Sequence, residues 1–122
     1  MAWAAEFFDM FAANDGLRIA PLREDHATFG TPTYIWAVIA EGRLFVRAYS
    51  GAASSWYRAA LREGAGQVHL AGQVFDVRFV QMDEAMTPAI DAAYRAKYPS
   101  SPYLAPMVSA RARGATVEVL PA

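Results

Sequence analysis

Two Xaa-Gly pairs, Glu41-Gly42 and Ala71-Gly72, constrain the fold of this chain most strongly, because each lies between two runs of apolar residues. The first pair follows residues 33–40, which are rich in β-branched and aromatic side chains, and a similar run continues over residues 43–49. A tight turn that ends in Gly between two such runs is typical of a β-hairpin. We therefore predict that residues 33–49 form an antiparallel hairpin.

The second pair joins residues 67–70 to residues 73–80. In the longer of these two runs, Phe75, Val77 and Phe79 alternate with a more polar set of residues. This period of two is the pattern of a strand with one buried face. The sequence therefore predicts a second hairpin.

A short helix is predicted between the hairpins, near Ser54 to Leu61. Helical spacing begins at Trp56. Either Ser54 or Ser55 is a natural N-cap, and Gly64 is a natural C-terminal stop.

The remaining pattern predicts shorter elements around this centre. They are a helix over about 3–13, a short strand within 17–22, a helix over 88–98, an extended or looped segment over 99–106, and a last strand over 116–120. Strands and helices in this order predict an α+β class. At 122 residues, the chain (1–122) is expected to be a single domain.

Composition adds expectations about partners and location. A small chain with 55% hydrophobic residues leaves apolar surface uncovered, which favours a homodimer. A net charge of −1 gives no general attraction to nucleic acid or to an anionic membrane. No membrane-spanning run and no signal peptide are apparent, so a cytoplasmic protein is expected.

Several kinds of site are poorly supported by the sequence. Without Cys there is no thiolate nucleophile and no cysteine metal site, and nothing links His26 and His69 to a third metal ligand. A Gly-x-Ser-x-Gly elbow, a phosphate-binding loop and a dinucleotide fingerprint are all missing. We therefore predict no metal site, and nucleophilic hydrolysis is disfavoured.

The segment from Arg47 to Arg58 carries the most chemistry. Alternation along the second strand puts Arg47 on a face that is otherwise aromatic, and a Gly- and Ser-rich loop then leads into the helix. Backbone N–H groups and hydroxyls at a helix N-terminus, flanked by two Arg, suit an anion. The alternative is structural: Ser54 only caps the helix, Arg47 pairs with Glu41 or Asp76, and Arg58 is solvated.

Aromatic side chains follow the same loop. Trp56 and Tyr57 offer a stacking platform for a planar ring, or else they are core residues of an amphipathic helix. The helix predicted over 88–98 either docks on the sheet or brings Lys97 or Tyr98 into the site. Both alternatives stay open at this point.

Most of the chain resembles a family of small uncharacterised bacterial proteins. The resemblance is carried by the segments Thr33-Tyr34-Ile35-Trp36, Leu44-Phe45-Val46-Arg47, Ser55-Trp56-Tyr57-Arg58-Ala59-Ala60-Leu61, Asp91-Ala92-Ala93-Tyr94-Arg95-Ala96-Lys97-Tyr98 and Pro102-Tyr103-Leu104-Ala105-Pro106-Met107. That family in turn looks like the split β-barrels of pyridoxamine-phosphate oxidases and deazaflavin-dependent nitroreductases. This resemblance implies an antiparallel split β-barrel that dimerises and binds FMN or a deazaflavin at the subunit interface.

The resemblance also implies roles for particular residues. The cofactor phosphate would be held by Arg47, Ser50, Ser54, Ser55 and Arg58, and the ring pocket would be lined by Tyr34, Trp36 and Tyr49, with Trp56 beside them. One departure is that the helix carries Trp56 and Tyr57 where flavin-binding relatives often have a Lys next to the Ser.

Three functions are compatible with these observations. The first is a flavin- or deazaflavin-dependent oxidoreductase that acts on a small molecule. The second is a non-redox module on the same barrel that binds a small anionic or aromatic metabolite. The third is an enzyme without a cofactor, with Tyr or Arg as its polar groups.

Overall fold

A computed structural model of the chain describes residues 3–14, 16–82 and 84–122. Its helices are α1 (Ala5–Ala13), α2 (Ser55–Glu63), α3 (Thr87–Lys97), α4 (Leu104–Met107) and α5 (Ala110–Arg113). Its strands are β1 (Arg18–Pro21), β2 (Thr33–Tyr34), β3 (Ala37–Ala40), β4 (Arg43–Arg47), β5 (Ala65–Leu70), β6 (Gln73–Gln81) and β7 (Thr116–Pro121). Within the described residues, no helix is both long enough and apolar enough to cross a bilayer.

The strands form one antiparallel sheet of seven in the order β2-β1-β5-β6-β7-β4-β3. The two edge strands, β2 and β3, are consecutive in the chain and are separated by Ile35 and Trp36 alone. Three Cα–Cα steps span at most about 11 Å, so the two edges of the sheet lie close together. The sheet is therefore curled into the expected split β-barrel, and the fold class is α+β.

The crossing between the edges corrects one prediction. Residues 33–40 were expected to form one strand, but the strand is interrupted at Ile35 and Trp36. Tyr34 pairs with β1, while Ala37 pairs with β4 at the other end of the sheet. The β-branched and aromatic composition marks the segment as extended, but it carries no information about a change of partner strand.

Both predicted hairpin turns are confirmed, although the first hairpin pairs over Ala37–Ala40 and Arg43–Arg47 rather than over the whole of residues 33–49. Glu41 and Gly42 have φ values of 53° and 72°, and Ala71 and Gly72 have φ values of 53° and 76°. Positive φ at both central residues is the signature of a type I′ turn, whose twist matches that of the flanking strands.

Strand β4 has two buried faces. Leu44, Val46 and Ala48 join the core inside the barrel. Phe45 lies on the opposite face, in a second core that includes Ile90 and Tyr94 of α3. Helix α3 thus docks on the outer face of the sheet, and the predicted alternation along this strand is confirmed.

The segment over 99–106 is less extended than predicted, because α4 begins within it at Leu104. Pro106 does not prevent this turn, since the first turn of a helix needs no intrahelical N–H donor. The following α5 was not predicted, although Ser109 caps it by accepting a hydrogen bond from Ala112 N.

We predict that Ala71→Asn stabilises the protein by about 0.5–1 kcal/mol, because Asn tolerates positive φ and favours the type I′ turn. Urea-induced unfolding measures the change. The control is Gln73→Asn, on an exposed residue at the start of β6, where no gain is expected. An unchanged or lowered stability of the Ala71 variant would contradict the turn assignment.

Candidate functional site

A cavity of about 230 Å³ lies where the chain crosses between the two edge strands of the barrel, and we call it the aromatic pocket. Its lining residues are Tyr34, Ile35, Trp36, Arg47, Tyr49, Trp56, Tyr103 and Met107. The edge-to-edge crossing supplies the first three, the end of β4 supplies Arg47 and Tyr49, α2 supplies Trp56, and the α4 region supplies the last two. The pocket therefore exists because the barrel is not closed by a continuous strand at this point.

Ring contacts hold the walls of the pocket. Trp36 stacks on Tyr98 with a centroid distance of 3.9 Å and an interplanar angle of 9°. The Tyr103 ring meets Trp36 and Tyr49 edge-on, at 6.3 Å and 5.9 Å. Tyr34, Tyr49 and Tyr103 are 48%, 43% and 56% exposed, so the mouth of the pocket is a rim of tyrosines open to solvent.

The floor of the pocket includes Arg47, whose side chain is completely buried. Its Nε donates to Thr116 Oγ1 at 3.0 Å, and its Nη1 donates to Asp91 Oδ1 and, at 3.0 Å, to the carbonyl of Met107. The alternative pairing of Arg47 with Glu41 or Asp76 is wrong, because α3 brings Asp91 to it instead.

One nitrogen of the Arg47 guanidinium differs from the other two in its hydrogen bonding. Arg47 Nη2 is buried and has no hydrogen-bond partner in the described residues. A buried donor without a partner costs about 1–3 kcal/mol, and native structures contain few such groups. Because Nε and Nη1 are already engaged, Nη2 is the nitrogen that Arg47 can offer to a ligand.

Asp91 bridges two arginines. Its Oδ1 accepts from Arg47, and its Oδ2 accepts from Nε (2.9 Å) and Nη2 of Arg113. Burial raises the pKa of Asp91, but the hydrogen bonds from Arg113 and Arg47 outweigh it, so the pKa lies below its usual value. Asp91 is therefore a buried carboxylate that stays charged at neutral pH.

Tyr94, on α3, also contacts the Arg47 side chain. Its ring centroid lies 5.2 Å from Arg47 Cζ, which is a cation–π distance, and its hydroxyl donates to the carbonyl of Trp36 at 2.6 Å. Burial raises the pKa of Tyr94 well above its usual range, so this phenol stays neutral. The guanidinium is thus fixed from several sides, which suits a preorganised donor.

The structure brings the predicted aromatic residues together and separates the predicted phosphate-binding residues from them. Tyr34, Trp36 and Tyr49 share the aromatic pocket with Arg47 and Trp56. The hydroxyls and the second arginine expected around a phosphate do not line this pocket within the described part of the chain; these are Ser50, Ser54, Ser55 and Arg58.

The placement of α2 explains the separation. Helix α2 contacts β1, β5 and β6, whereas Arg47 lies on the face of β4 that α3 covers. Ser54 is the N-cap of α2, yet its side chain makes no capping hydrogen bond. Ser55 lines a different cavity, of about 520 Å³, which shares Trp56 with the aromatic pocket and includes Arg23.

Sequence reasoning missed the residues around Arg47: three of them contact it directly, and Arg113 contacts Asp91. Asp91 and Arg113 form the ion-pair bridge, and Thr116 and Met107 accept hydrogen bonds. Asp91 lies three residues before Tyr94 on the inward face of α3. An acid on the buried stripe of an amphipathic helix is the local signal that would have indicated a buried cation opposite it.

We predict that Asp91→Asn lowers the free energy of unfolding by about 3–5 kcal/mol, because it leaves the buried charge of Arg47 uncompensated. Chemical denaturation at pH 7 measures the loss. Glu24→Gln is the control: Glu24 is 83% exposed and pairs with Arg62 at 3.6 Å, so its loss should cost less than about 1 kcal/mol. Equal effects at the two positions would contradict the buried bridge.

The same variant has a predicted pH dependence. Because the pKa of Asp91 is lowered on folding, its carboxylate stabilises the native state fully above the unfolded pKa of about 4 and less as pH falls through the folded value. The stability gap between the wild type and Asp91→Asn should stay constant from pH 7 to pH 5 and narrow by pH 3. A gap that widens on acidification would overturn this sign.

Comparisons with known proteins agree with the fold. The crystal structure of a conserved hypothetical protein from Mycobacterium tuberculosis matches with a TM-score of 0.62 and 19% sequence identity, over 98% of this chain and 79% of that one. A comparison with curated protein sequences gave no significant match. The model of a family described as "Uncharacterized protein conserved in bacteria (DUF2255)" matches residues 8–119. The chain therefore belongs to this DUF2255 family of bacterial proteins.

Proposed function

We propose that the protein binds a small planar molecule in the aromatic pocket, with an acceptor atom of the ligand on Arg47 Nη2. The observation that carries this proposal is the buried Nη2 without a partner in the described residues, on a side chain that lines an aromatic cavity. A ligand acceptor would satisfy this donor, and the surrounding rings offer apolar contact to a planar molecule.

Access to Nη2 requires a small movement of the pocket lining, because Arg47 is shielded from water. Tyr103 lines the pocket and is 56% exposed, so its side chain is able to turn toward solvent. We propose that its displacement extends the cavity toward the guanidinium.

The resemblance to flavin-binding split barrels gives the proposal a redox version. A flavin or deazaflavin ring would stack on the aromatic walls, and its carbonyl edge would accept from the guanidinium. The cofactor would supply hydride transfer, while the chain would supply placement and electrostatics. The expected phosphate residues do not converge on Arg47, as described above. The ring part of such a cofactor thus fits this site better than its phosphate part.

The non-redox version needs only a single aromatic metabolite. A volume of about 230 Å³ is below the usual range of about 300–1,000 Å³ for pockets that hold drug-sized ligands. This size favours a small ring over a dinucleotide or a full flavin nucleotide. We therefore place binding of a small aromatic metabolite first and the oxidoreductase second.

We predict that FMN, a deazaflavin and a panel of small aromatic acids separate the two versions. Binding is measured by absorbance and fluorescence for the cofactors and by thermal stabilisation for all. Arg47→Lys should weaken the binding ligand at least about tenfold, because Lys lacks the planar fork. Arg58→Ala is the control and should change nothing.

The outcomes are distinct. A spectral shift with FMN or deazaflavin that Arg47→Lys abolishes supports the oxidoreductase. Stabilisation by an aromatic acid alone supports the metabolite-binding module. Binding that Arg47→Lys leaves intact, in a variant whose folding is verified by circular dichroism, would overturn the site in both versions.

We further propose that the protein is a cytoplasmic homodimer. Exposed large apolar side chains support a subunit interface: Val74 and Val80 on β6 and the tyrosine rim of the pocket. Sedimentation equilibrium should give twice the chain mass of 13.3 kDa. A monomer at micromolar concentration would contradict the dimer but would not contradict the proposed ligand pocket.

A further inference from the structure

We infer that the aromatic pocket selects a ligand with a single negative charge, an aryl carboxylate, and that Arg113 sets this selectivity from outside the pocket through Asp91. This inference rests on the proposed function and deepens it. It concerns the charge of the ligand rather than the existence of the site.

The charges around the pocket do not balance. Arg47 and Arg113 are two cations, and Asp91 is the carboxylate that they share. Among the residues that line the pocket, Arg47 is the charged one. A net positive charge therefore remains next to an aromatic cavity, and burial of Arg47 and Asp91 strengthens its effect because screening by water is weak there.

A further cation lies at the mouth of the pocket. Arg111 Cζ is 5.6 Å from the ring centroid of Tyr49, on the rim. Its charge adds to the positive potential that an entering ligand meets. A cleft whose charge is of one sign raises the local concentration of ligands of the opposite sign.

The available donor limits the class of anion. Thr116, Asp91 and Met107 occupy Nε and Nη1 of Arg47, so Nη2 alone remains for a ligand. A phosphate dianion normally recruits several donors, whereas one carboxylate oxygen is served by one charge-assisted hydrogen bond. The small cavity and its aromatic walls add the requirement for a single ring.

Arg113 controls the charge without controlling the shape of the pocket. It does not line the pocket, its side chain is 41% exposed, and it holds Oδ2 of Asp91 while Arg47 holds Oδ1. Loss of Arg113 would leave Arg47 and Asp91 as a neutral pair. The geometry of Arg47 would persist, because Thr116 and Met107 still accept its hydrogen bonds.

The test uses three probes of one shape: benzoate, benzamide and benzylamine. Affinities are measured by NMR titration of the full chain at low salt. For the wild type we expect benzoate to bind about tenfold more tightly than benzamide, because benzoate brings a full negative charge to the positively charged site, whereas the benzamide carbonyl offers only a dipole. Benzylamine should not bind.

The variants isolate Arg113. Arg113→Gln should weaken benzoate about five- to tenfold and leave benzamide unchanged, whereas Arg113→Lys should retain the preference for benzoate. The control is Arg58→Gln, which removes the same formal charge from an exposed helix position outside the pocket, and it should leave both affinities unchanged.

The measurements distinguish a failure of the charge selectivity from a failure of the binding site itself. If benzoate and benzamide bind equally to the wild type, or if Arg113→Gln weakens both by the same factor, the charge selectivity is overturned while the binding site stands. If none of the three probes shifts any resonance of the pocket aromatics while FMN, a deazaflavin or another aromatic acid binds there, this inference is overturned and the proposed function stands. If neither the probes nor those ligands bind, the proposed function is overturned, and this inference with it.

Discussion

The buried contact between Arg47 and Asp91 is the interaction on which the rest of the structure depends. It joins the outer face of β4 to α3, and the hydrogen bonds of Arg47 to Met107 and Thr116 extend the connection to α4 and β7. A buried cation is tolerated only when it is paired and hydrogen-bonded. These elements therefore have to assemble together, and the position of α3 over the sheet is fixed by charge as well as by the apolar contacts of Phe45, Ile90 and Tyr94.

The location of the pocket follows from the way in which the sheet closes. A fully hydrogen-bonded barrel would leave no opening between its edge strands. Here the chain passes from one edge to the other through Ile35 and Trp36, which lie outside β2 and β3. The Ile35 N–H donates to the carbonyl of Leu17, and the Trp36 ring stacks on Tyr98. The opening that results is lined by the residues of the crossing and by the end of β4. The dipeptide Ile35-Trp36 thus creates the opening between the edge strands and lines two sides of the pocket.

The local features of this structure were predictable, and the long-range ones were not. Xaa-Gly turns, alternation along β4 and the Gly64 stop are encoded by neighbours in sequence, so the hairpins and α2 could be predicted. The aromatic lining was expected from the resemblance to split barrels, and Tyr34, Trp36 and Tyr49 do line the pocket. Asp91 lies 44 residues from Arg47, and no spacing rule connects them. Ser54 and Arg58 were expected to converge on Arg47 because all three are close in sequence. Whether they converge depends on the direction in which each side chain points, and the packing of α2 sets that direction.

The unpartnered nitrogen of Arg47 links stability to binding. Buried ion pairs are often no more stabilising than apolar residues of the same volume, and Arg47 leaves Nη2 unsatisfied besides. Stability alone therefore does not account for an arginine here. A ligand that accepts a hydrogen bond from Nη2 would relieve this cost at the moment of binding, and its affinity would include that relief. The unsatisfied donor and the proposed charge selectivity therefore have one origin, the Arg47 guanidinium, which Asp91 holds and whose Nη2 has no partner in the described residues.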